Sequence, residues 1–196
     1  MGEFERRQLE KQLLPMLDLE DRFITAVGMA RRNSYSGLWL IGGTVFRRLA
    51  LIQNKTPVPD GCDFDLVVGD MKPTLYVPSG WSVEANRFGN PKFLGPDGIE
   101  IDFCPLAKVH SIVRRKVEPT IENWATGTPL TVQAVAFDCD KIELTGDIGM
   151  QAAYDQKVAV NDPIQAGILA EWKKKPIGQI IREHAVQLNY KPVLPE

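Results

Sequence analysis

The tripeptide Asp63-Phe64-Asp65 sets two carboxylates one residue apart. In a β-strand, alternation puts both acids on one face and turns Phe64 and Leu66 the other way, into a core. Two carboxylates side by side repel, and each raises the cost of ionising the other unless a cation sits between them. A hard divalent cation with oxygen ligands, Mg²⁺ or Mn²⁺, meets that need. Asp102 offers a third acid in the same setting, inside the alternating run Ile99-Glu100-Ile101-Asp102-Phe103-Cys104. Glu100 shares its face and is the alternative third carboxylate. Three carboxylates on adjacent strands can hold two metals roughly 3.5–4 Å apart, the arrangement for in-line displacement at phosphorus.

Such a site also needs something to hold phosphates, and Gly42-Gly43-Thr44 is the candidate. Glycines let a backbone come close to phosphate. A helix N-terminus directly after them offers N–H groups and the positive end of the helix dipole. Thr44 adds a hydroxyl and can cap that helix. Arg47 and Arg48, a turn further on, can reach phosphate oxygens. The candidate nucleotide-binding set is therefore Gly42, Gly43, Thr44, Arg47 and Arg48; the candidate catalytic and metal-binding set is Asp63, Asp65 and Asp102.

The elements that must position these residues follow from apolar spacing and breakers. Residues 4–32 have helical spacing, with Leu9, Leu13, Met16 and Leu17 on one face, and Pro15 predicts a break or kink. Residues 33–37 are a polar stop, 38–41 a short buried strand, and 45–53 a helix with Phe46, Leu49 and Ala50 facing inward. A loop at 54–61 leads to a strand at 63–68. Residues 71–98 are irregular, with one strand near 81–84, and 99–104 is a further strand. Residues 107–116 are helical, and 130–137 and 142–144 form a hairpin about Asp138-Cys139-Asp140-Lys141. From Asp147 the pattern is helical again. Strands in the middle and helices at the ends predict an α+β fold. Its expected parts are an N-terminal helical segment at 1–37, a core with a short mixed β-sheet and flanking helices at 38–146, and a C-terminal helical segment at 147–196.

With 44% hydrophobic and 24% charged residues, the 196-residue chain reads as globular, not disordered. No apolar run approaches the ~20 residues of a membrane helix. The polar stretch up to Gln12 has no signal-like apolar core. A cytoplasmic protein with no membrane partner is expected. Cys62, Cys104 and Cys139 are an odd, scattered set without CxxC spacing, which suits a reducing compartment and argues against disulfides or zinc. Cys62 and Cys104 read as small buried hydrophobes, and His110 and His184 lack ligand spacing. A net charge of −2 does not mark a nucleic-acid binder. Short basic clusters exist nonetheless at Arg31-Arg32, Arg47-Arg48, Arg114-Arg115-Lys116 and Lys173-Lys174-Lys175. Trp39 and Trp81 are expected in the core, while Trp124 and Trp172 could stack on a base.

Ile41-Gly42-Gly43-Thr44, followed by Asp63-Phe64-Asp65, resembles the signature of the DNA polymerase beta-type nucleotidyltransferase superfamily. Among its members, the head domain of CCA-adding enzymes and bacterial poly(A) polymerases is most similar. The run from Leu130 through Val132, Ala134 and Phe137 to Asp138 resembles that family's FTINALAYD strand, and Val160-Asn161-Asp162-Pro163 stands where it has a GDP. The departures are specific. The stretch between Gly43 and Asp63 is longer than the family's. Phe46 stands where the arginine of its GGAVR falls, Gly127-Thr128-Pro129 replaces its RRD, and Gln133 replaces its asparagine. Nothing matches its EDxxR nucleotide template.

The resemblance implies the nucleotidyltransferase fold and a divalent metal, Mg²⁺ or Mn²⁺. The reaction it implies is attack by an acceptor hydroxyl on the α-phosphate of a nucleoside triphosphate, releasing pyrophosphate. Asp63 and Asp65 would ligate both metals, and Asp102 the one that activates the acceptor. The acceptor stays open between an RNA end, a protein and a small molecule; without the template, unaided CCA synthesis is not expected. The alternative function is a nucleotide-sensing or RNA-binding module that keeps the fold and has lost turnover.

Overall fold

The computed structural model describes residues 2–18, 20–55 and 63–195. Helices Glu3–Asp18 (α1) and Asp21–Asn33 (α2) lead into strand Ser34–Ile41 (β1), helix Gly43–Asn54 (α3) and strand Asp63–Met71 (β2). A hairpin of Ser82–Ala85 (β3) and Pro91–Leu94 (β4) comes next, then strand Glu100–Pro105 (β5) and the short helices His110–Arg115 (α4) and Ile121–Ala125 (α5). A second hairpin, Ala136–Asp138 (β6) and Glu143–Thr145 (β7), precedes helix Asp147–Asp155 (α6) and strand Lys157–Val158 (β8). Helices Pro163–Lys173 (α7) and Ile177–Leu188 (α8) and strand Lys191–Pro192 (β9) complete the described elements. The fold is α+β, built on one mixed sheet.

That sheet has the strand order β3-β4-β5-β2-β1-β6-β7. β2 and β5 pair in parallel, and the other neighbours are antiparallel. One face carries Leu38, Leu40, Phe64, Leu66, Phe93 and Phe103, each at most 1% exposed. They join a single cluster with Leu13 and Leu17 of α1, Phe23 of α2, Leu49 of α3 and Ile181 of α8. The three stretches 1–37, 38–146 and 147–196 thus share one core. On the opposite face, Val67 packs with Leu106, Ile112, Ile121, Trp124 and Ala136, so α4 and α5 cover only part of the sheet.

Several elements differ from the sequence expectation for identifiable reasons. α1 runs through Pro15 without a break. The buried Leu9, Leu13 and Leu17 stripe carries it, and Pro15 is exposed, so water can satisfy the carbonyl that the proline leaves unpaired. The polar residues 34–37 belong to β1, because Ser34 and Ser36 pair with Met71 and Asp70 of the similarly long β2. The stretch 71–98 contains a regular hairpin. Residues 130–137 do not form one strand: Thr131–Gln133 is a 3-10 turn, with Gln133 Oε1 accepting from Leu130 N at 3.2 Å. Only Ala136–Asp138 joins the sheet there. The stretch from Asp147 is not purely helical, since β8 and β9 form a small parallel pair. Most of the loop at 54–61 lies outside the described residues, as does Cys62. Among the described residues no helix is long and apolar enough to cross a membrane.

Candidate active site

The parallel register of β2 and β5 sets Asp63 opposite Glu100 and Asp65 opposite Asp102. Alternation then brings all four acids to the face turned away from the main core. Asp65 and Asp102 are half-buried on the floor of a cleft of about 720 Å³. Asp63, the first residue of β2, is exposed. Burial, then repulsion from Asp102 and Asp63, pushes the Asp65 carboxyl up to about 6, against the pull of Lys92 and Arg47.

The glycine pair sits directly beside this acid, because Ile41, the last residue of β1, is the partner of Asp65. Gly42 has φ 73°, and a Cβ there would overlap Asp65 Oδ2; both its conformation and this approach require glycine. At Gly43 a Cβ would come within 2.9 Å of Arg47 Cζ. Gly42, not Thr44, is the residue that caps α3. The Thr44 hydroxyl instead donates to the Asp63 carbonyl at 2.9 Å, which ties the start of α3 to the start of β2. The arginines diverge. Arg48 pairs with Glu20 and donates to the Thr44 carbonyl at 3.0 Å, a structural arrangement. Arg47 lies over Gly43 and has a buried Nε with no partner.

The cleft also uses residues that sequence reasoning missed. Lys92 on β4 stands opposite Asp102, pairs with Glu100, and has its Nζ 3.9 Å from Asp102 Oδ2. The hydrogen bond to Glu100 holds the Lys92 ammonium above its ordinary value. Asn86 donates to Asp102 from the β3–β4 turn, and Arg87 beside it crosses the cleft mouth to Trp172 on α7. Trp172 is 50% exposed, but its ring is taken by Arg87 Cζ at 3.4 Å and Lys173 Nζ at 4.2 Å, whereas Trp124 is buried at 5%. Trp39 is half-buried on this face and donates to Asp138 Oδ2 at 3.1 Å. Cys104 lines the floor, and burial pushes its thiol up to about 12, which leaves it a protonated, inert group at neutral pH. His110 bonds Gln165 at 3.1 Å, and His184 packs on Phe46 with ring centroids 5.9 Å apart. The sequence reading left this stretch irregular and gave no sign of a turn at 86–90 over Asp102.

Among the described residues no three His, Cys, Asp or Glu side chains converge as a ready-made metal cage. The donor chemistry nevertheless fits a hard divalent cation. Every donor is a carboxylate oxygen, and the repulsion that raises Asp65 is what a cation would relieve.

No family model matches the chain, and no curated protein matches it. Solved structures do. One is a CCA-adding enzyme with CTP, at 15% identity and a TM-score of 0.55, covering 89% of this chain and 40% of that one. Another is a tRNA-processing enzyme with CTP, at 16% identity and a TM-score of 0.50, covering 81% of this chain and 40% of that one. The chain shares the fold of the matched part of these structures. It spans about 40% of the length of the structures it matches. Within this fold, the carboxylates lie on the two central strands, on the part of the sheet face that α4 and α5 leave uncovered.

Proposed function

We propose that the protein is a divalent metal-dependent nucleotidyltransferase that moves a nucleoside monophosphate from a nucleoside triphosphate to an acceptor hydroxyl and releases pyrophosphate. The observation that carries this reading is the in-register pair Asp65 and Asp102, with Asp63 two residues away, on the floor of a cleft of nucleotide size. Asp63, Asp65 and Asp102 would hold Mg²⁺ or Mn²⁺, which when bound neutralises charge developing on the transferring phosphoryl group. Asp102 accepts the proton of the acceptor hydroxyl. Gly42 and Gly43 let the triphosphate approach the N-terminal end of α3. Arg47, whose Nε lacks a partner, supplies the phosphate contact, and Arg48 keeps α3 in place through Glu20. A base that stacks on Trp172 would have to displace Arg87 from its ring. The CTP in the structural neighbours supports a nucleotide substrate, and their tRNA-processing names make an RNA end one acceptor to test beside proteins and small molecules.

The deciding experiment offers each labelled triphosphate with Mg²⁺ or Mn²⁺ and follows pyrophosphate and label transfer, to lysate components and to tRNA transcripts lacking CCA. Pyrophosphate release that is lost in Asp65→Asn supports the reading. The second reading, a nucleotide-binding module without turnover, is favoured by the Lys92 ammonium already lying among the acids. Saturable nucleotide binding with no pyrophosphate under any of these conditions would select it.

A further inference from the structure

Asp102 is held from the cleft side by a neutral donor. Asn86 Nδ2 donates to Asp102 Oδ1 at 2.7 Å. At its other end, Asn86 Oδ1 accepts from Phe88 N at 2.9 Å and from Asn90 N at 3.1 Å. Because two backbone N–H donors face one end of this amide, that end must be the oxygen, and the NH₂ must face the carboxylate. The turn that carries Asn86 is itself closed by Asn86 N to Asn90 O and Gly89 N to Asn86 O, both 2.8 Å. Arg87 anchors it across the cleft, with Cζ 3.4 Å from the centre of the Trp172 ring. The amide therefore has a fixed aim set by backbone.

We propose that Asn86 is a positioning residue for Asp102, fixing the orientation of its carboxylate as a cation ligand. This rests on the metal-dependent reading above. Without this bond the carboxylate would be free to turn, with the Lys92 ammonium, 3.9 Å from its Oδ2, left to draw it. Lys92 attracts Asp102 but adds a charge that competes with a metal ion. Asn86 orients the same group and adds none. Outer hydrogen bonds of this kind typically change metal affinity by about 10–100-fold.

The test separates orientation from simple turn formation, using the full chain and Mn²⁺ alone as the probe, followed by electron paramagnetic resonance. In Asn86→Ser the hydroxyl can still accept from the N–H two residues on, so the turn is kept, but it is too short to reach Asp102. The expected result is Mn²⁺ binding weakened by about tenfold or more, with hydrogen-exchange protection of the Phe88 and Asn90 amides retained. Parent-like Mn²⁺ affinity in Asn86→Ser, with those amides protected, would overturn the proposal. If parent and Asp65→Asn bind Mn²⁺ alike, the metal reading fails by itself, and nuclear magnetic resonance decides the Asn86 contact separately. Asp102→Ala must then move the side-chain NH₂ signals of Asn86; unmoved signals would overturn the positioning role whatever the metal does.

Discussion

Along β2, neighbouring residues live under opposite rules. Phe64, Leu66 and Val68 are at most 1% exposed under the helices, while Asp63 and Asp65, one residue away each, stand on a face that α4 and α5 cover only beyond Val67. The same strand, hydrogen-bonded in the same ladder, therefore supplies a sealed wall and an open floor. The proposed chemistry sits where cover stops. On the sealed face a side chain is valued for filling space; on the open face Asp65 is kept although its burial and its neighbours make ionisation costly.

The sharpest way to break this contrast is Asp65→Asn in the transfer assay. Pyrophosphate release should fall at least about a thousandfold, ~4 kcal/mol of transition-state stabilisation, with an unchanged circular dichroism spectrum. Activity within tenfold of the parent would remove Asp65 from the chemistry. On the opposite face, Leu66→Ala should cost about 3 kcal/mol in urea denaturation, since it empties a fully buried site. A cost below ~1 kcal/mol there would erase the distinction between the two faces.

The third expectation concerns pH without metal. The folded Asp65 carboxyl titrates near 6, above the ~3.9 of an unfolded chain. The stability linked to its protonated form is thus fully present below about pH 4 and is lost as pH rises through about 6. Asp65→Asn removes that loss. The variant should match the parent at pH 4 and exceed it by about 1–3 kcal/mol at pH 8. Parent and variant with parallel stability curves across this window would refute the repulsion argument. The smallest effect belongs to the cleft mouth: Arg87→Ala should cost under ~1 kcal/mol, yet change Trp172 fluorescence by uncovering its ring. Unchanged tryptophan emission would mean that the contact is not held in solution.

Much of this contrast was legible in the sequence. The strict alternation at 99–104 and the Asp63-Phe64-Asp65 triplet announced both faces of the two central strands, because a period of two needs no tertiary information. The strand expected near 81–84 is β3, but its partner β4 was hidden, since Pro91–Leu94 opens on a proline and lies between Gly89 and Gly95, where breakers mask a short strand. The strand expected over 130–137 was lost to a 3-10 turn in which Gln133 Oε1 accepts from Leu130 N, while the Thr131 hydroxyl accepts from the distant Ala159 N. Thr44 was read as a helix cap from its type alone, whereas Gly42, free to take φ 73°, ends the strand and starts the helix.

Residue order alone therefore determined which side chains share a face, and with that the acids, the glycine pair and the mixed α+β class. Only the tertiary structure decided which strand lies beside which. That choice put Asp102 rather than Glu100 next to Asp65, gave Glu100 to Lys92, sent Arg48 to Glu20, and left Arg47 by the glycines. It also laid the Asn86 turn over the floor of the cleft. The reason is physical: alternation is a local property of the backbone, while sheet order and register are set by how distant apolar faces close one core, and the polar face takes whatever neighbours that closure brings.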